Sequence, residues 1–414
     1  MIDKYLIFPD QYSFNFTFLI VMTQRELFFQ HVAQTSPAPL ALEIVKAEGC
    51  YLWDASGKKY LDLIAGISVS QTGHRHPKVI QAIQQQLDRY LHLMVYGELI
   101  QSPQVQYAEL LTKHLPASLN SVYFTNSGTE ATEGAMKLAK RVTGRTNILA
   151  FNKSYHGSTQ GALSIMGDET FKNAFRPLLP GIIHADYNQP ESIKLITEHT
   201  ACVVAETIQA ESGVNAPLRS WMKALKERCS KTGTLLILDE IQCGFGRNGT
   251  MWAFEQFDVV PDILLLGKAL GGGLPLGAFI ADKKWMQQLT HQPVLGHITT
   301  FGGHPVCCAA GKAALEVLLE EDLIQHVHQK EILFRSLLQH STILSIRSRG
   351  LMMALEFESF DRCKRVIDQC IEKGVLTDWF LFAPNCLRIA PPLTITEEEI
   401  REACEIIMQV LNQQ

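Results

Sequence analysis

Asp262-Ile-Leu-Leu-Leu-Gly-Lys-Ala-Leu-Gly-Gly-Gly-Leu-Pro-Leu-Gly277 is an apolar run that stops at a lysine. Ile263 to Leu266 reads as a buried strand; Gly267 ends it and Lys268 follows. The glycines and the proline that come next allow no regular element to continue. An amine at such a strand end is held partly out of water. Desolvation lowers an ammonium pKa and leaves a nucleophile. Taken alone, Lys268 would be a surface lysine opening a loop. Two stretches upstream decide otherwise.

The first is Gly233-Thr-Leu-Leu-Ile-Leu-Asp-Glu-Ile-Gln-Cys-Gly-Phe-Gly-Arg-Asn-Gly249, where Asp239 ends the apolar strand Leu235 to Leu238. The second is Tyr123-Phe-Thr-Asn-Ser-Gly-Thr-Glu-Ala131, a strand that opens into a helix through small residues. An amine, a carboxylate and a phosphate cradle thus stand at three strand ends. Pyridoxal phosphate requires that set. The lysine forms the aldimine, the aspartate keeps the pyridine nitrogen protonated, and the helix N-terminus receives the phosphate.

The segment from about 104 to 290 alternates strands with helices. Strand candidates are 121–124, 147–151, 201–206, 234–238, 263–266 and 277–281. Such alternation predicts an α/β fold with a mainly parallel sheet covered on both faces. Ligands then sit beyond the carboxyl ends of the strands, where Ser127, Glu206, Asp239 and Lys268 fall. Residues 1–70 read as an N-terminal segment with a short helix and a strand-rich lobe, 71–304 as a large cofactor-binding domain, and 305–414 as a smaller α+β domain. Thr396-Glu-Glu-Glu399 opens the last helix as a capping box.

Asn126-Ser-Gly-Thr-Glu-Ala131, Tyr155-His-Gly157, Asp239-Glu-Ile-Gln242, Lys268-Ala-Leu-Gly-Gly-Gly273 and Thr300-Phe-Gly-Gly303 occur in one order. From about Pro39 to the C-terminus the chain resembles the class III (omega-amino) aminotransferases, the group of acetylornithine, ornithine and 4-aminobutyrate aminotransferases. The resemblance implies a fold-type I pyridoxal phosphate enzyme. Its catalytic residues would be Lys268 and Asp239. Cofactor contacts would come from Ser127, Gly128 and Thr129 at the phosphate, Tyr155 stacked on the ring, Gln242 at the phenolic oxygen, and His156 and Glu206. Thr300 would reach the phosphate of a neighbouring subunit, making a homodimer with shared active sites. Arg388, in Leu387-Arg-Ile-Ala-Pro-Pro-Leu393, would grip the α-carboxylate of glutamate or 2-oxoglutarate, and Glu211 would pair with it when the other substrate enters by its terminal amine.

Three departures are visible. Thr207 and Ala210 stand where the family usually has proline and glycine. Ser158 stands directly after His156-Gly157, where the family commonly has an arginine for the distal carboxylate of the omega-amino substrate. The amino donor is therefore open between acetylornithine-, ornithine-, 4-aminobutyrate- and diamine-like compounds, with Arg75 or Arg176 as substitute cations. A decarboxylase, racemase or aminomutase would use the same framework, and a cofactor-binding protein without catalysis is the non-enzyme alternative. The run Leu235 to Glu240 also mimics the Walker B strand of an ATPase, but no Gly-x-x-x-x-Gly-Lys-Ser/Thr accompanies it.

Composition narrows the classes. At 414 residues, 46% apolar and 19% charged, the chain is long enough for two cores and too apolar for a disordered protein. A net charge of −5 gives no electrostatic reason for nucleic acid or an anionic membrane as partner. Ten cysteines are scattered without Cys-x-x-Cys, which predicts neither a metal site nor disulfides and fits a reducing, cytoplasmic setting. His74 and His76 lack a third metal ligand nearby and are read as capping and packing residues. Phe14 to Met22 is apolar but too short to span a bilayer and lacks a cationic flank. Residues 1–21 are read as non-native sequence before an initiator at Met22; the alternatives are initiation at Met1 and a secretory signal.

Overall fold

Ile263–Leu266 is buried at all four positions, as are the seven residues Thr200–Glu206 and the five residues Leu235–Asp239. Unbroken apolar runs of this kind belong to strands covered on both faces. The computed structural model describes residues 22–413, so the readings made on residues 1–21 lie outside it. A capped helix, Gln24–His31, precedes an antiparallel set of β1 (Ile44–Glu48), β2 (Tyr51–Asp54) and β3 (Lys59–Asp62).

The large sheet has seven strands: β4 (Ser121–Thr125), β5 (Asn147–Phe151), β6 (Ile182–Ala185), β7 (Thr200–Glu206), β8 (Leu235–Asp239), β9 (Ile263–Leu266) and β10 (Gly277–Ala281). Their order is β4-β10-β9-β8-β7-β5-β6, and β10 alone runs against its neighbours. The fold is α/β with a mainly parallel sheet, as the alternation implied. Alternate residues of each strand face opposite ways. Leu236 and Leu238 join Trp221 and Leu225 of the helix Arg219–Thr232 on one face. Leu235 and Ile237 join Ala131, Ala135 and Leu138 of the helix Gly128–Thr143 on the other. The edge strand β6 was not among the sequence candidates; it is four residues long and includes His184.

A second antiparallel sheet carries β11 (Ser345–Arg349), β12 (Met352–Glu356), β14 (Trp379–Phe380) and β15 (Ala383–Ile389) in the order β11-β12-β15-β14. The two-residue strand β13 (Val375–Leu376) leaves this region and pairs in parallel with β3. Segments at opposite ends of the sequence therefore share a sheet. The divisions at 70 and 304 remain our proposal for the folding units, with this pairing tying the first to the third. The last helix, Glu397–Asn412, opens on the expected Thr396–Glu399 capping box and buries Ile400, Ile407 and Val410.

Candidate active site

Register builds the site. Glu206 lies level with Asp239 across β7 and β8, and Asp239 lies level with Leu265 across β8 and β9. Lys268 is three residues past Leu265, so both carboxylates and the amine emerge at one edge of the sheet. The N-terminus of Gly128–Thr143 arrives at the same edge, after β4. Gly128, Thr129, Tyr155, His156, Ser158, Glu206, Asp239, Gln242 and Lys268 line one cavity of about 320 Å³ there, together with Ile208, Ile241 and Cys243.

The loop that carries Lys268 is pinned. Tyr107 donates its hydroxyl to the Leu270 carbonyl at 2.7 Å from beneath. Lys268 takes φ +48, a left-handed conformation unusual for a side-chain-bearing residue. Its Nζ donates to Gln242 Oε1 at 3.1 Å. Burial pulls the ammonium below its ordinary range, against the opposing pull of Glu211 and Asp239. The amine is thus nearer to its neutral, nucleophilic form than a surface lysine.

Asp239 is buried. Its Oδ2 faces His156 Nδ1 at 2.7 Å, and its Oδ1 accepts the Ile241 N–H at 2.9 Å. Glu206 accepts the N–H groups of Tyr155 and Ala210 and so holds two loops of the cavity wall. Burial pushes its carboxyl up to about 7. A carboxyl that keeps its proton to a higher pH in the folded state adds stability below its unfolded pKa, and this is lost as pH rises through the folded value. Without cofactor, wild type should therefore lose thermal stability relative to Glu206→Gln between about pH 4.5 and about pH 7. Thermal midpoints of both proteins at each end of that window check the sign.

The residues fit a phosphorylated pyridine. His156 Nε2 and Gln242 Nε2 are buried with no partner, polar atoms that a bound group would satisfy. Gly128 and Thr129 present the first turn of a helix of 16 residues, where free N–H groups suit an anion. Ser127 stands behind them as N-cap, its hydroxyl accepting from Glu130 N–H. At Gly157, φ is +128, and an added Cβ would lie 2.1 Å from Thr129 Oγ1. Gly157→Ala should force Thr129 from the cradle, at about 2 kcal/mol of stability. The check is a lower thermal midpoint together with weaker uptake of pyridoxal phosphate.

Beside the cavity, Arg388 on β15 meets Glu211 from the loop after β7. Nη1 donates to Oε1 at 2.8 Å and Nη2 to Oε2 at 3.0 Å, with both side chains buried. Burial works to raise the Glu211 carboxyl, but Arg388, the Leu381 N–H and Lys268 together bring it below the usual range. The substitute cations lie elsewhere. Arg176 is exposed and paired with Glu169 at 2.6 Å, and Arg75 is exposed; neither lines the cavity. Ser158 faces the Tyr155 hydroxyl at 3.2 Å. Thr300 is exposed and outside the cavity of its own chain.

Other sequence readings resolve here too. Glu240, the second acid of the Walker-like run, accepts from Ala253 N–H, Phe254 N–H and the Thr207 hydroxyl. Its carboxylate is occupied by structure. His74 faces Asp62 at 2.8 Å and His76 faces Glu321 at 3.2 Å, separate partners for the two histidines. All ten cysteines are buried and free, and burial pushes the Cys243 thiol well up. Ile208, Ile241 and Cys243 were not singled out in the sequence. The signal available was that Ile241 and Cys243 lie inside the stretch Gly233 to Gly249 that carries Asp239 and Gln242. No described helix is long and apolar enough to cross a membrane.

A family profile described as Aminotransferase class-III matches residues 32–411. An acetylornithine aminotransferase of Methanopyrus kandleri is 39% identical over 388 residues, covering 92% of this chain and 97% of that protein. A [LysW]-aminoadipate semialdehyde/glutamate semialdehyde transaminase of Sulfurisphaera tokodaii is 36% identical, covering 87% and 92%. The ornithine aminotransferase of Toxoplasma gondii, a structure with partial occupancy of pyridoxal phosphate at its active site, superposes with a TM-score of 0.86 at 32% identity, covering 93% and 92%. A profile that spans nearly the whole described chain, and relatives above a third identical over most of theirs, settle its kinship: the chain belongs to the class III aminotransferases, and its cofactor is pyridoxal phosphate.

Proposed function

We propose that the enzyme moves an amino group between glutamate or 2-oxoglutarate and an omega-amino compound in two alternating half-reactions. The observation that carries this reading is the bidentate Glu211–Arg388 pair beside Lys268. Arg388 offers a planar fork to an α-carboxylate when Glu211 withdraws. With Glu211 seated, the same wall accepts an amine that has no carboxylate next to it. Pyridoxal phosphate, when bound, supplies the carbonyl that exchanges nitrogen and the ring that delocalises an electron pair.

The chain's own residues divide the remaining work in this reading. Lys268 Nζ moves the proton at the reacting carbon. Asp239 holds the pyridine nitrogen in its protonated form, and His156 fixes the Asp239 carboxylate from behind. Ser127, Gly128 and Thr129 receive the phosphate, Tyr155 covers the ring, and Gln242 donates to its phenolic oxygen. Glu206 keeps the Tyr155 loop in place. Thr300 completes the phosphate site of a neighbouring subunit in a homodimer. Leu91, Met94, Ile100, Ile298 and Phe301 are exposed, and the His92 ring lies 4.9 Å from that of Phe301, next to Thr300; these apolar side chains around Thr300 support such an interface. The buried, unpaired cysteines support a reducing, cytoplasmic setting.

The test is spectroscopic. Enzyme loaded with pyridoxal phosphate is titrated with L-glutamate and then with 2-oxoglutarate. Loss of the visible cofactor band, followed by its return, supports the reading. A band that ignores both acids removes glutamate as donor and brings forward a decarboxylase or racemase. A panel of acetylornithine, ornithine, 4-aminobutyrate and uncharged-tail amines then ranks the second substrate. With Ser158 in place of a cation, amines lacking a distal carboxylate are expected to lead.

A further inference from the structure

Arg388 carries two carboxylates, and the second is held differently from the first. Glu211 occupies the Nη1/Nη2 end of the guanidinium. Asp378 Oδ1 lies 2.9 Å from Nε, off the N–H axis, so the contact is an ion pair and Nε has no aligned acceptor. The neighbours of Asp378 close the other sides. The Trp379 carbonyl accepts from Nη2 at 3.0 Å, and the guanidinium lies 4.4 Å from the centre of the Phe380 ring.

Glu211 can be exchanged. It sits on a loop, and apart from Arg388 its carboxylate takes one hydrogen bond, from Leu381 N–H. Asp378 cannot be moved so easily. Arg388 N–H donates to the Asp378 carbonyl at 2.8 Å, and the Thr377 hydroxyl donates to the Arg388 carbonyl at 2.6 Å. These bonds fix the backbone of Asp378 beside Arg388, so its carboxylate stays within reach of Nε whatever occupies the far edge. An α-carboxylate that replaces Glu211 meets a cation already partly neutralised, with a like charge across the guanidinium.

We propose that Asp378 sets the specificity of this site: fixed on the Nε edge of Arg388, it weakens the guanidinium's hold on an incoming α-carboxylate and weights the enzyme towards omega-amines, which enter with Glu211 still seated. The inference rests on the reading of Arg388 given above. Burial, the largest cause, together with Glu211 pushes the Asp378 carboxyl up to about 6 against the pull of Arg388. The groups that face it are Arg388 on β15, Glu211, Asp62 on β3 and Cys363 on the helix Phe360–Glu372. Mild acid should then relieve the same handicap in the wild type.

The experiment compares wild type, Asp378→Asn and Asp378→Ser as full-length, cofactor-loaded enzymes. It reads the Kd of glutarate, a dicarboxylate that cannot react, by calorimetry, and KM for glutamate and for the best amine. In both variants glutarate Kd and glutamate KM should fall by about three- to tenfold, with amine KM changing less than about twofold. Glutarate should bind wild type more tightly as pH falls from about 7.5 to about 5.5, and this trend should flatten in Asp378→Asn. Thermal midpoint and the visible cofactor band report whether each variant is folded. Weaker or unchanged glutarate binding in a folded variant overturns the proposal, as does an equal change for acid and amine. A wild type that binds glutarate but never turns over glutamate sinks the donor assignment alone.

Discussion

Replacing Lys268 with alanine is expected to cut turnover by at least about 10⁴-fold while the protein keeps its fold and still takes up pyridoxal phosphate. Among the described residues that line the cavity, Lys268 is the sole lysine, so no second amine stands ready to move the proton. The fold should survive because the loop is held by other atoms: Tyr107 at the Leu270 carbonyl, and Gly267 and Gly128 packed against Ile241. Lysine and alanine are both L-configured, so at φ +48 alanine inherits the backbone strain without adding to it. Loss of Nζ leaves Gln242 Oε1 without its donor, a small cost because water entering the vacated space can donate in its place. Steady-state rates with glutamate and the best amine, together with the thermal midpoint, make the measurement. Lys268→Arg separates charge from base function, because a guanidinium keeps the cation but does not give up its proton. It too should be inactive. Turnover within about tenfold of wild type in either variant would remove Lys268 from the chemistry.

How far the sequence reaches depends on how local the cause is. Lys268, Asp239 and Glu206 were legible because each stands at or just past the end of an apolar run that reads as a buried strand, and the three together, with the helix start at Ser127, make a site that none of them makes alone. The capping box at Thr396 was legible because it closes within four residues. β6 and β14 were not: His184 interrupts the four residues of β6, and β14 is only two residues long. The pairing of β13 with β3 joins residues more than three hundred apart and leaves no mark in either segment. Glu211 and Arg388 lie 177 residues apart, and only the family resemblance brought them together before the fold did. Asp378 had no such help. Its importance comes from the register that sets the β13–β14 turn against β15, which no periodicity encodes.

Asp239→Asn is expected to lower kcat by about 10² to 10⁴-fold, with a thermal midpoint close to wild type. The substitution keeps shape and removes charge. The new amide would still offer an oxygen to the Ile241 N–H, so the turn at the end of β8 should hold. What it cannot supply is a buried anion. In the wild type that anion is buried, with His156 Nδ1 on one side and the cavity on the other, so little water shares the charge. Coulomb effects at such a site exceed those at the surface several-fold. A pyridine nitrogen held there would keep its proton because the carboxylate favours the charged form; beside a neutral amide it would lose that proton, and the ring would draw electrons less strongly. The kinetic signature should therefore be a fall in kcat with little change in KM for glutamate, since Arg388, not Asp239, would hold the acid. His156→Asn offers the complementary case, keeping the anion but withdrawing the partner that orients it, and should cost less. A rise in glutamate KM at unchanged kcat in Asp239→Asn would place Asp239 with the substrate rather than with the ring.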